Sequence, residues 1–587
     1  MAVRAQPRAS DDTLVNLALG AVLAVVGLGG VLWLAGTVAA AVTGRPRPTG
    51  GFSAGLAVLA HPADPAGALG APGLNPVAYW AVAVLLLAAG AAATVLGWRA
   101  VRRARSTSDP HRLSGTATGS EVAHAASARS ILKRAGTLRP SLSGKVAPDQ
   151  VGYLLGSSKD RQVWATVEDS ILVIGPPRSG KGLHLVINAI LDAPGAVITT
   201  STRPDNLTTT LTARQDRGPV AVFDPQQLAP GLPAGMRWSP VRGCQDPLTA
   251  MIRARGLSAA TGFVGVQDAG FWEGKTTSAL QSLLHAAALD SRDARTLYQW
   301  ALSPTLAADA VRVLSTHPQA ADGWAESLDA MVQADPRTRD SIWQGVSLAL
   351  AALADPRVLD AVCPHPGEEF DPAEFLRQHG TLYLLATGAG AGAAASLVAA
   401  FIEDLVETAR RLAARSAGAR LDPPLLLALD EIGALAPLPS LPTLMAEGGG
   451  TGITTMPVLQ SLAQAREKWG ENNANAIWDA SIVKVVLGGA SNSRDLQDLS
   501  TLIGERDEST DSVTTDAYGA RSTQRSLRRL AILPPDVLRT LPFGTGVVLL
   551  RTARPIITDL RAWTTRRDAH QLREQRAAVE TALHQGV

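Results

Sequence analysis

Cysteine is nearly absent from this sequence, with Cys244 and Cys363 its only two thiols in 587 residues. Two cysteines cannot build a disulfide framework or a zinc cluster with cysteine ligands, so both kinds of scaffold are excluded. An excess of one charge is missing as well, because 54 Lys and Arg residues face 52 Asp and Glu residues. The net charge of +2 does not by itself indicate a nucleic-acid partner, since such partners are recognised by local basic patches.

Charge is missing altogether from two long stretches near the N-terminus, residues 14–42 and 77–98. Each stretch exceeds the roughly 20 apolar residues that a helix needs to cross a bilayer. A cleaved signal peptide is the competing interpretation of the first stretch, but its apolar region would be about 7 to 15 residues long. We therefore predict two transmembrane helices in a membrane anchor of residues 1–105, joined by a short loop outside the membrane.

Basic residues return directly after the second stretch, at Arg99, Arg102, Arg103 and Arg105. Such a cluster beside a membrane helix marks the cytoplasmic side of the bilayer. A DNA-binding patch is the alternative interpretation, and we prefer the topology signal with contact to anionic lipid. The sequence thus predicts a multi-pass protein of the cell membrane, with both termini in the cytoplasm.

A glycine-bounded loop, GPPRSGKG, follows the apolar run at residues 171–174. This pattern is typical of a P-loop, in which backbone N–H groups face a phosphate and the lysine reaches the terminal phosphates. The positive end of the helix that follows adds to the attraction. The residues predicted to bind nucleotide are Gly175, Pro176, Pro177, Arg178, Ser179, Gly180, Lys181 and Gly182.

The standard P-loop closes with a Ser or Thr whose hydroxyl binds magnesium, and this chain has Gly182 there instead. A metal ion in the site would then need a water molecule or another protein ligand. A purely structural turn between a strand and a helix is the alternative, and every position of the pattern except the last favours nucleotide binding.

A second landmark is LLLALDE at residues 425–431, an apolar run that ends in two acids. P-loop ATPases use such a strand tip to bring an Asp to magnesium and a second residue to the attacking water. Asp430 is the predicted metal ligand, and Glu431 is predicted to orient or deprotonate water. Together with the P-loop, the pair predicts hydrolysis of ATP with Mg²⁺.

Another apolar run, residues 453–459, ends at Gln460 and Ser461. A polar side chain at such a strand end senses the terminal phosphate or positions water, and Gln460 is predicted to have this role. Ser461 is equally suited to cap the next helix, which is compatible with that role.

A chain of 587 residues is long enough for about three or four structural units. Short β-type runs alternate with helical stretches from residue 171 onwards, as in a parallel sheet covered by helices. The predicted fold is an α/β P-loop NTPase, RecA-like with a mostly parallel sheet, an inserted all-α subdomain and two N-terminal transmembrane helices. After the anchor we predict a linker (106–150), a first nucleotide-binding part (151–245), the all-α insert (246–375), a second nucleotide-binding part (376–563) and a charged helical tail (564–587).

Three further segments contain polar, basic or aromatic residues with a predicted role. STRPD, residues 201–205, follows a predicted strand at the sheet edge where such folds bind ligands. A polar loop is predicted for residues 505–516, followed by arginines at helical spacing that could contact phosphates, act as a trans arginine finger or form a solvated face. These arginines are Arg521, Arg525, Arg528 and Arg529.

The insert contains four tryptophans that are predicted to lie in its core. They are Trp272, Trp300, Trp324 and Trp343.

The order of these features resembles the TraG/TraD family, the conjugative coupling ATPases of type IV secretion. The resemblance covers most of residues 115–560, including GTA at 115–117, VFDP at 222–225 and FWEG at 271–274. Residues 425–470, LLLALDEIGALAPLPSLPTLMAEGGGTGI and the following segment, resemble the region sometimes called the TraM recognition domain. Glycine after the P-loop lysine is also common in that family.

The resemblance implies that Lys181, Asp430, Glu431 and Gln460 act on the nucleotide. It also implies a membrane-anchored homohexamer that hydrolyses ATP to move single-stranded DNA. The implied partners are the relaxase or relaxosome proteins bound to that DNA and the inner-membrane components of a type IV secretion channel.

Two alternatives stay open at this point. A membrane translocase of the FtsK type, acting on duplex DNA or exporting protein, would share both nucleotide motifs but should lack the long all-α insert and the LAPLP segment. A membrane scaffold that binds nucleotide without turnover is supported only by Gly182.

Overall fold

The computed structural model describes residues 9–106, 110–231, 235–259, 268–368, 370–386, 391–515, 521–551 and 553–585. The chain divides into two compact units, Met1–Asp109 and Pro110–Val587. Side chains of a few stretches inside these elements also lie outside the described part, among them those of the four arginines at 99–105 and of Arg521 and Arg525.

The N-terminal unit consists of helices: α1 (Ala9–Val42), α2 (Phe52–Ala60), α3 (Pro65–Leu69) and α4 (Pro76–Ser106). By length and composition, Val25–Val42 and Pro76–Gly97 are long and apolar enough to cross a membrane. The connection predicted as a loop contains two short helices, because its apolar residues form a small core with α1 and α4. The phenolic hydroxyl of Tyr79 donates a hydrogen bond to the carbonyl of Leu32, which ties α4 to α1.

The second unit is built on a large sheet. Within the described residues, eleven strands form this sheet and two more form a separate hairpin. The strands are β1 (Gly152–Ser158), β2 (Arg161–Thr166), β3 (Ile171–Ile174), β4 (Val197–Ser201), β5 (Val220–Phe223), β6 (Thr381–Leu385), β7 (Leu425–Leu429), β8 (Ile453–Leu459), β9 (Val483–Leu487), β10 (Glu505–Thr515), β11 (Arg521–Ala531), β12 (Thr545–Leu550) and β13 (Ile556–Leu560).

The order across the large sheet is β2-β1-β13-β12-β9-β3-β8-β7-β4-β6-β5. From β9 to β5 neighbouring strands run parallel, whereas β12, β13, β1 and β2 pair in antiparallel fashion. The predicted mostly parallel sheet is therefore present. Since β3, β8, β7 and β4 are adjacent and parallel, the segments that follow them emerge at one edge, where ligands bind in such folds.

Helices cover both faces of the sheet and build the insertion between β5 and β6. They are α5 (Gly119–Ala125), α6 (Ala128–Leu132), α7 (Ala135–Leu138), α8 (Ile187–Asp192), α9 (Asp205–Gln215), α10 (Pro247–Ser258), α11 (Ala269–Leu289), α12 (Ala294–Leu302), α13 (Pro304–Thr316), α14 (Trp324–Val332), α15 (Pro336–Ala349), α16 (Pro356–Ala361), α17 (Pro372–Arg377), α18 (Ala391–Ala414), α19 (Ile432–Leu435), α20 (Leu441–Glu447), α21 (Leu462–Ala480), α22 (Ser493–Ile503), α23 (Pro535–Arg539) and α24 (Ala569–Gln585).

The central strands are buried on both faces, as expected for a parallel sheet. Within β7, Leu425, Leu427 and Leu429 join the core on one side, together with the helices of the insert. Leu426 and Ala428 join the core on the opposite side. The continuous apolar run before Asp430 thus reflects burial from two directions.

The segment between β5 and β6 is helical from α10 to α17 in its described residues, which agrees with the predicted all-α insertion. Trp300 and Trp343 are buried, and the indole N–H of Trp343 donates to the carbonyl of Trp300 at 3.2 Å. Trp272 and Trp324 are partly buried against the same core. The tryptophans therefore pack in the core of the insert, as predicted.

Residues 106–150 differ from the predicted linker, because α5, α6 and α7 pack against β1 and β2. Val122, Ile131 and Leu138 are buried in that interface. Each helix is only a turn or two long, so its apolar residues show little periodicity in sequence. Thr118 caps α5 in a capping box with Glu121, which fixes the start of the segment.

Residues 505–531 are also a correction, because β10 and β11 form an antiparallel hairpin in place of a polar loop and a helix. Arg521, Arg525 and Arg529 are spaced by four residues, and four fits both the helical period and the strand period of two. Arg529 lies 3.7 Å from Asp507 on the opposite strand. The pairing of acidic and basic strands favours the hairpin.

The charged tail folds back onto the nucleotide-binding part. In α24, Val579 is buried against Leu207 and Leu211 of α9. Leu572 is buried against Ile187 of α8. The tail is thereby placed beside the helices that flank the P-loop.

Candidate functional site

The loop after β3 has the backbone that a P-loop requires. Gly180 has φ +88°, and a Cβ there would lie 2.7 Å from the ring of His184 and 3.0 Å from that of Phe543. Arg178 also lies in the left-handed region, at φ 64°. The loop continues into a π-helical turn at Gly182–Val186 and then into α8. Glycine at position 180 is therefore required by both backbone and space.

Lys181 is buried and tied to its own loop. Its Nζ donates to the carbonyl oxygen of Gly175 at 2.6 Å and to that of Pro176 at 3.3 Å. Burial lowers the pKa of Lys181, and the negative charges of Asp430 and Glu431 act in the opposite direction. Both acids are close enough to affect this lysine, so the P-loop and the end of the 425–431 segment belong to one site.

Asp430 stands at the carboxyl end of β7 and is largely shielded from water. Its Oδ2 accepts a hydrogen bond from Nδ2 of Asn206 at 3.3 Å, while its Oδ1 is buried without a hydrogen-bond partner. Burial, followed by the neighbouring charge of Glu431, raises the pKa of Asp430 to about 6, against the opposing effects of Asn206 and Lys181. A buried carboxylate oxygen without a partner is suited to receive a cation.

Glu431 adopts a left-handed backbone conformation, with φ 51° and ψ 28°. Its carboxylate accepts a short hydrogen bond from the hydroxyl of Thr202, at the end of β4. The preceding carbonyl, that of Asp430, accepts a hydrogen bond from Thr200 at 2.7 Å. Strained backbone of this kind occurs at functional sites, where surrounding contacts hold it.

One cleft of about 460 Å³ joins these groups. The P-loop forms one wall, the segment after β4 a second, and the tips of β7 and the C-terminal tail the remainder. Its lining residues include Lys181, Gly182, Thr202, Arg203, Asp205, Asn206, Asp430, Glu431, Trp563 and Arg576. The structure thus brings together three of the four predicted catalytic residues.

Gln460 lies outside this cleft. It lines a neighbouring cavity of about 450 Å³ on the other side of the loop, together with Pro176 and Pro177. The backbone N–H of Gln460 donates to Oε1 of Gln464, and Ser461 caps α21 through its hydroxyl, as the sequence predicts. Pro177 borders both cavities, so Gln460 and the nucleotide cleft are separated by the P-loop itself.

The residues of the cleft fit a magnesium nucleotide. Among the described residues, no group of three His, Cys, Asp or Glu side chains could hold a metal ion on its own. Magnesium usually binds through one or two carboxylates together with phosphate oxygens and water. The buried, unpartnered Oδ1 of Asp430 is consistent with that arrangement.

Sequence reasoning missed two contributors to the cleft. The segment STRPD, residues 201–205, was predicted to lie at this edge of the sheet. The prediction did not include the next residue, Asn206, whose side chain contacts Asp430. The tail had no predicted role, yet Arg576 lines the cleft, as does Trp563 immediately before the tail. Nothing in the local sequence of the tail signals this, because the contact depends on how α24 packs against α9.

Comparison with known proteins places this site on an established fold. The chain resembles the bacterial conjugative coupling protein TrwBdeltaN70 in its unbound monoclinic form, with 18% identity, a TM-score of 0.52, and coverage of 73% of this chain and 91% of that one. TrwB in complex with ADP and Mg²⁺ matches with 17% identity, a TM-score of 0.50 and the same coverage. TrwB with the non-hydrolysable ATP analogue ADPNP matches with 18% identity, a TM-score of 0.50, and coverage of 67% and 86%. These matches confirm the predicted fold class.

A search of the curated proteins found no match. Residues 424–543 match the family model described as the TraM recognition site of TraD and TraG. This match begins at residue 424, one residue before the predicted recognition region, and extends beyond the predicted end at 470. Residues 424–543 are therefore similar to the TraM recognition site of TraD and TraG, and the predicted resemblance to the type IV coupling proteins is confirmed.

Proposed function

We propose that this chain is a membrane-anchored ATPase that moves relaxase-bound single-stranded DNA towards a type IV secretion channel in conjugation. The observation that carries the proposal is the convergence of Lys181, Asp430 and Glu431 on one cleft. The recognition site at residues 424–543 supports the link to the relaxosome. Each motif alone has other uses, and their combination favours a coupling ATPase.

In this proposal each side chain of the cleft has a role. Lys181 exchanges its bonds to the carbonyls of Gly175 and Pro176 for bonds to phosphate oxygens, where its charge stabilises the transferred phosphoryl group. Glu431, held by Thr202, accepts a proton from the attacking water or orients it. Asp430 offers its free Oδ1 to the metal, which when bound neutralises charge that develops on the phosphates.

The proposed cofactors are ATP and Mg²⁺. TrwB has been captured with an ATP analogue and with ADP and Mg²⁺, which supports the same ligands for this chain. The P-loop residues 175–182 are the proposed nucleotide-binding segment, and Asp430 is the proposed metal ligand.

The membrane anchor and the assembly are part of the same proposal. Val25–Val42 and Pro76–Gly97 would span the inner membrane, with the basic residues after the second span holding the ATPase part in the cytoplasm. A homohexamer would surround the DNA and present the recognition sites to the relaxosome and to inner-membrane components of the channel. Mass photometry of the purified chain in nanodiscs tests the hexamer directly.

The experiment that tests the function is ATP hydrolysis by the full chain in lipid nanodiscs, without DNA, with single-stranded DNA and with duplex DNA. We expect hydrolysis that single-stranded DNA stimulates more than duplex does. Stimulation by duplex alone would favour the FtsK-type alternative. Nucleotide binding without any hydrolysis under the three conditions would favour the scaffold.

A further inference from the structure

Position 182 has room for the side chain that it lacks. A Cβ built on Gly182 would approach a single neighbouring atom within 4 Å, Oδ1 of Asn206, at 3.9 Å. A serine hydroxyl at position 182 would stand one bond beyond that Cβ, in the open space around it. The amide oxygen of Asn206 therefore borders the place that the P-loop hydroxyl normally fills.

Asn206 is fixed in this place by its surroundings. Its side chain is 2% exposed, and it lies in the first turn of α9. Its Nδ2 donates to Oδ2 of Asp430 at 3.3 Å, so the two ends of the amide face the predicted metal ligand and the P-loop. The backbone carbonyl of Asn206 accepts a hydrogen bond of 2.6 Å from the hydroxyl of Thr210, one helical turn later.

We propose that Asn206 replaces the missing P-loop hydroxyl as the second protein oxygen for the nucleotide-bound magnesium, an inference that rests on the proposed function. Amide carbonyl oxygens are ordinary ligands of hard divalent cations. Oδ1 of Asn206 and the unpartnered Oδ1 of Asp430 supply one neutral and one charged oxygen from adjacent strand ends. Phosphate oxygens and water complete the shell.

Other hydroxyls near the loop are less suited to this role. The hydroxyls of Thr202 and Thr209, which donate to Glu431 and to the carbonyl of Asp205, do not come within 4 Å of a Cβ built at position 182. Ser179 carries an unpartnered hydroxyl, but it lies 2.6 Å from a Cβ built on Gly175, at the opposite end of the loop. Asn206 alone among these bridges position 182 and Asp430.

The test is the magnesium dependence of nucleotide affinity, measured by fluorescence with mant-ADP on the full chain in detergent micelles. The dissociation constant is determined in excess Mg²⁺ and in EDTA, and the ratio of the two is compared between variants. We expect Asn206→Ala to reduce this ratio by about tenfold or more while leaving the affinity in EDTA within about twofold. Adding Gly182→Ser to that variant should restore the ratio.

A matched control is Asn188→Ala, since Asn188 is another asparagine with 2% exposure that bonds backbone carbonyls, those of His184 and Arg561, outside the cleft. This variant should keep the wild-type ratio. Gly182→Ser in the wild-type background provides a test that does not depend on folding of Asn206→Ala. If Asn206 already supplies the ligand, the added hydroxyl changes the ratio by less than about twofold.

Two results would overturn the inference while leaving nucleotide binding intact. They are an unchanged ratio in Asn206→Ala, with or without an equal loss of affinity in both solutions, and a large gain in the ratio from Gly182→Ser alone. Absence of mant-ADP binding by the wild-type chain in both solutions would instead overturn the proposed function itself. Electron paramagnetic resonance with Mn²⁺ and ADP gives a second readout, because loss of the ligand changes the bound-Mn²⁺ spectrum.

Discussion

The ammonium group of Lys181 donates a 2.6 Å hydrogen bond to the carbonyl oxygen of Gly175, so the lysine closes the P-loop onto itself. The same side chain is buried and lies within the electrostatic reach of Asp430 and Glu431. A phosphate that enters the cleft can replace the carbonyl as the partner of this charge. The lysine is thus held in position before the nucleotide arrives.

Lys181→Ala should abolish hydrolysis, lowering the rate by at least about 100-fold, because no other lysine lines the cleft among its described residues. A phosphate-release assay on the full chain measures this. Lys484→Ala is the control, since Lys484 is also partly buried but lines a different cavity. Wild-type turnover in Lys181→Ala would show that the site has been placed wrongly.

Glu431→Gln should retain ATP binding and lose hydrolysis. The amide preserves the shape of the side chain and a contact with Thr202, but it cannot accept a proton from water. Dissociation constants for mant-ATP, together with single-turnover rates, separate the two effects. An equal loss of binding and turnover would make Glu431 a structural residue.

Gln460→Ala should leave nucleotide affinity within about twofold of the wild type, because Gln460 lines the cavity on the far side of Pro176 and Pro177. If Gln460 senses the terminal phosphate through the loop, turnover should fall while affinity stays. Parallel titration and turnover measurements test this. A large loss of affinity would mean that the loop rearranges to admit Gln460 into the nucleotide cleft.

Arg576→Ala should weaken ATP binding by roughly fivefold, since the tail contributes this cation to the cleft and half-exposed charges have modest effects. Arg573→Ala is the matched control, because Arg573 lies on the same helix and bonds the carbonyl of Thr564 away from the cleft. Isothermal titration with ADPNP compares the two variants. Equal affinities in both would leave the tail with a packing role only.

Asp422→Ala should lower the free energy of unfolding by about 3 kcal/mol, because it leaves the largely buried guanidinium of Arg139 unpaired. Nε of Arg139 donates to Oδ1 of Asp422 at 2.7 Å, which ties the end of α7 to the loop that precedes β7. Urea titration followed by tryptophan fluorescence measures the loss. Asp340→Ala, in the exposed pair with Arg339, should change it by less than about 0.5 kcal/mol.

The same pair predicts a pH dependence. Burial alone would raise the pKa of Asp422, but the hydrogen bonds from Arg139 and Ser141 outweigh it and hold the pKa below the ordinary value of 3.8. The stabilising contribution is therefore complete above about pH 3.8 and is lost as the pH falls through the lower folded value. The difference in stability between wild type and Asp422→Ala should accordingly shrink in acid. A difference that grows in acid would contradict the assigned pairing.

The sequence was sufficient for features that depend on consecutive residues. Residues 171–174 and 425–429 are apolar at every position because both faces of those strands are covered. Such a run can be recognised as a buried strand from the sequence alone. Because the two strands are parallel, the P-loop after the first and the acids Asp430 and Glu431 after the second lie at the same edge of the sheet. The convergence of Lys181 with Asp430 was predictable for this reason.

Features that depend on distant packing were not predictable. The arginines of β11 fit two periods at once, and only the pairing with β10 decides between them. The helices at 119–138 are too short to show periodicity, and their burial depends on β1 and β2. Asn206 is an ordinary residue in the first turn of a helix until Gly182 and Asp430 are seen beside it.

The pairing of β1 with β13 joins Gly156 to Leu560, positions about 400 residues apart along the chain. During synthesis, the first strand of the second unit leaves the ribosome long before its partner exists. Both apolar helices have by then emerged, so insertion of the proposed membrane anchor would precede closure of the sheet. Until β13 is made, β1 keeps an open strand edge, and a translation product shortened by roughly its last 30 residues would keep that edge unpaired.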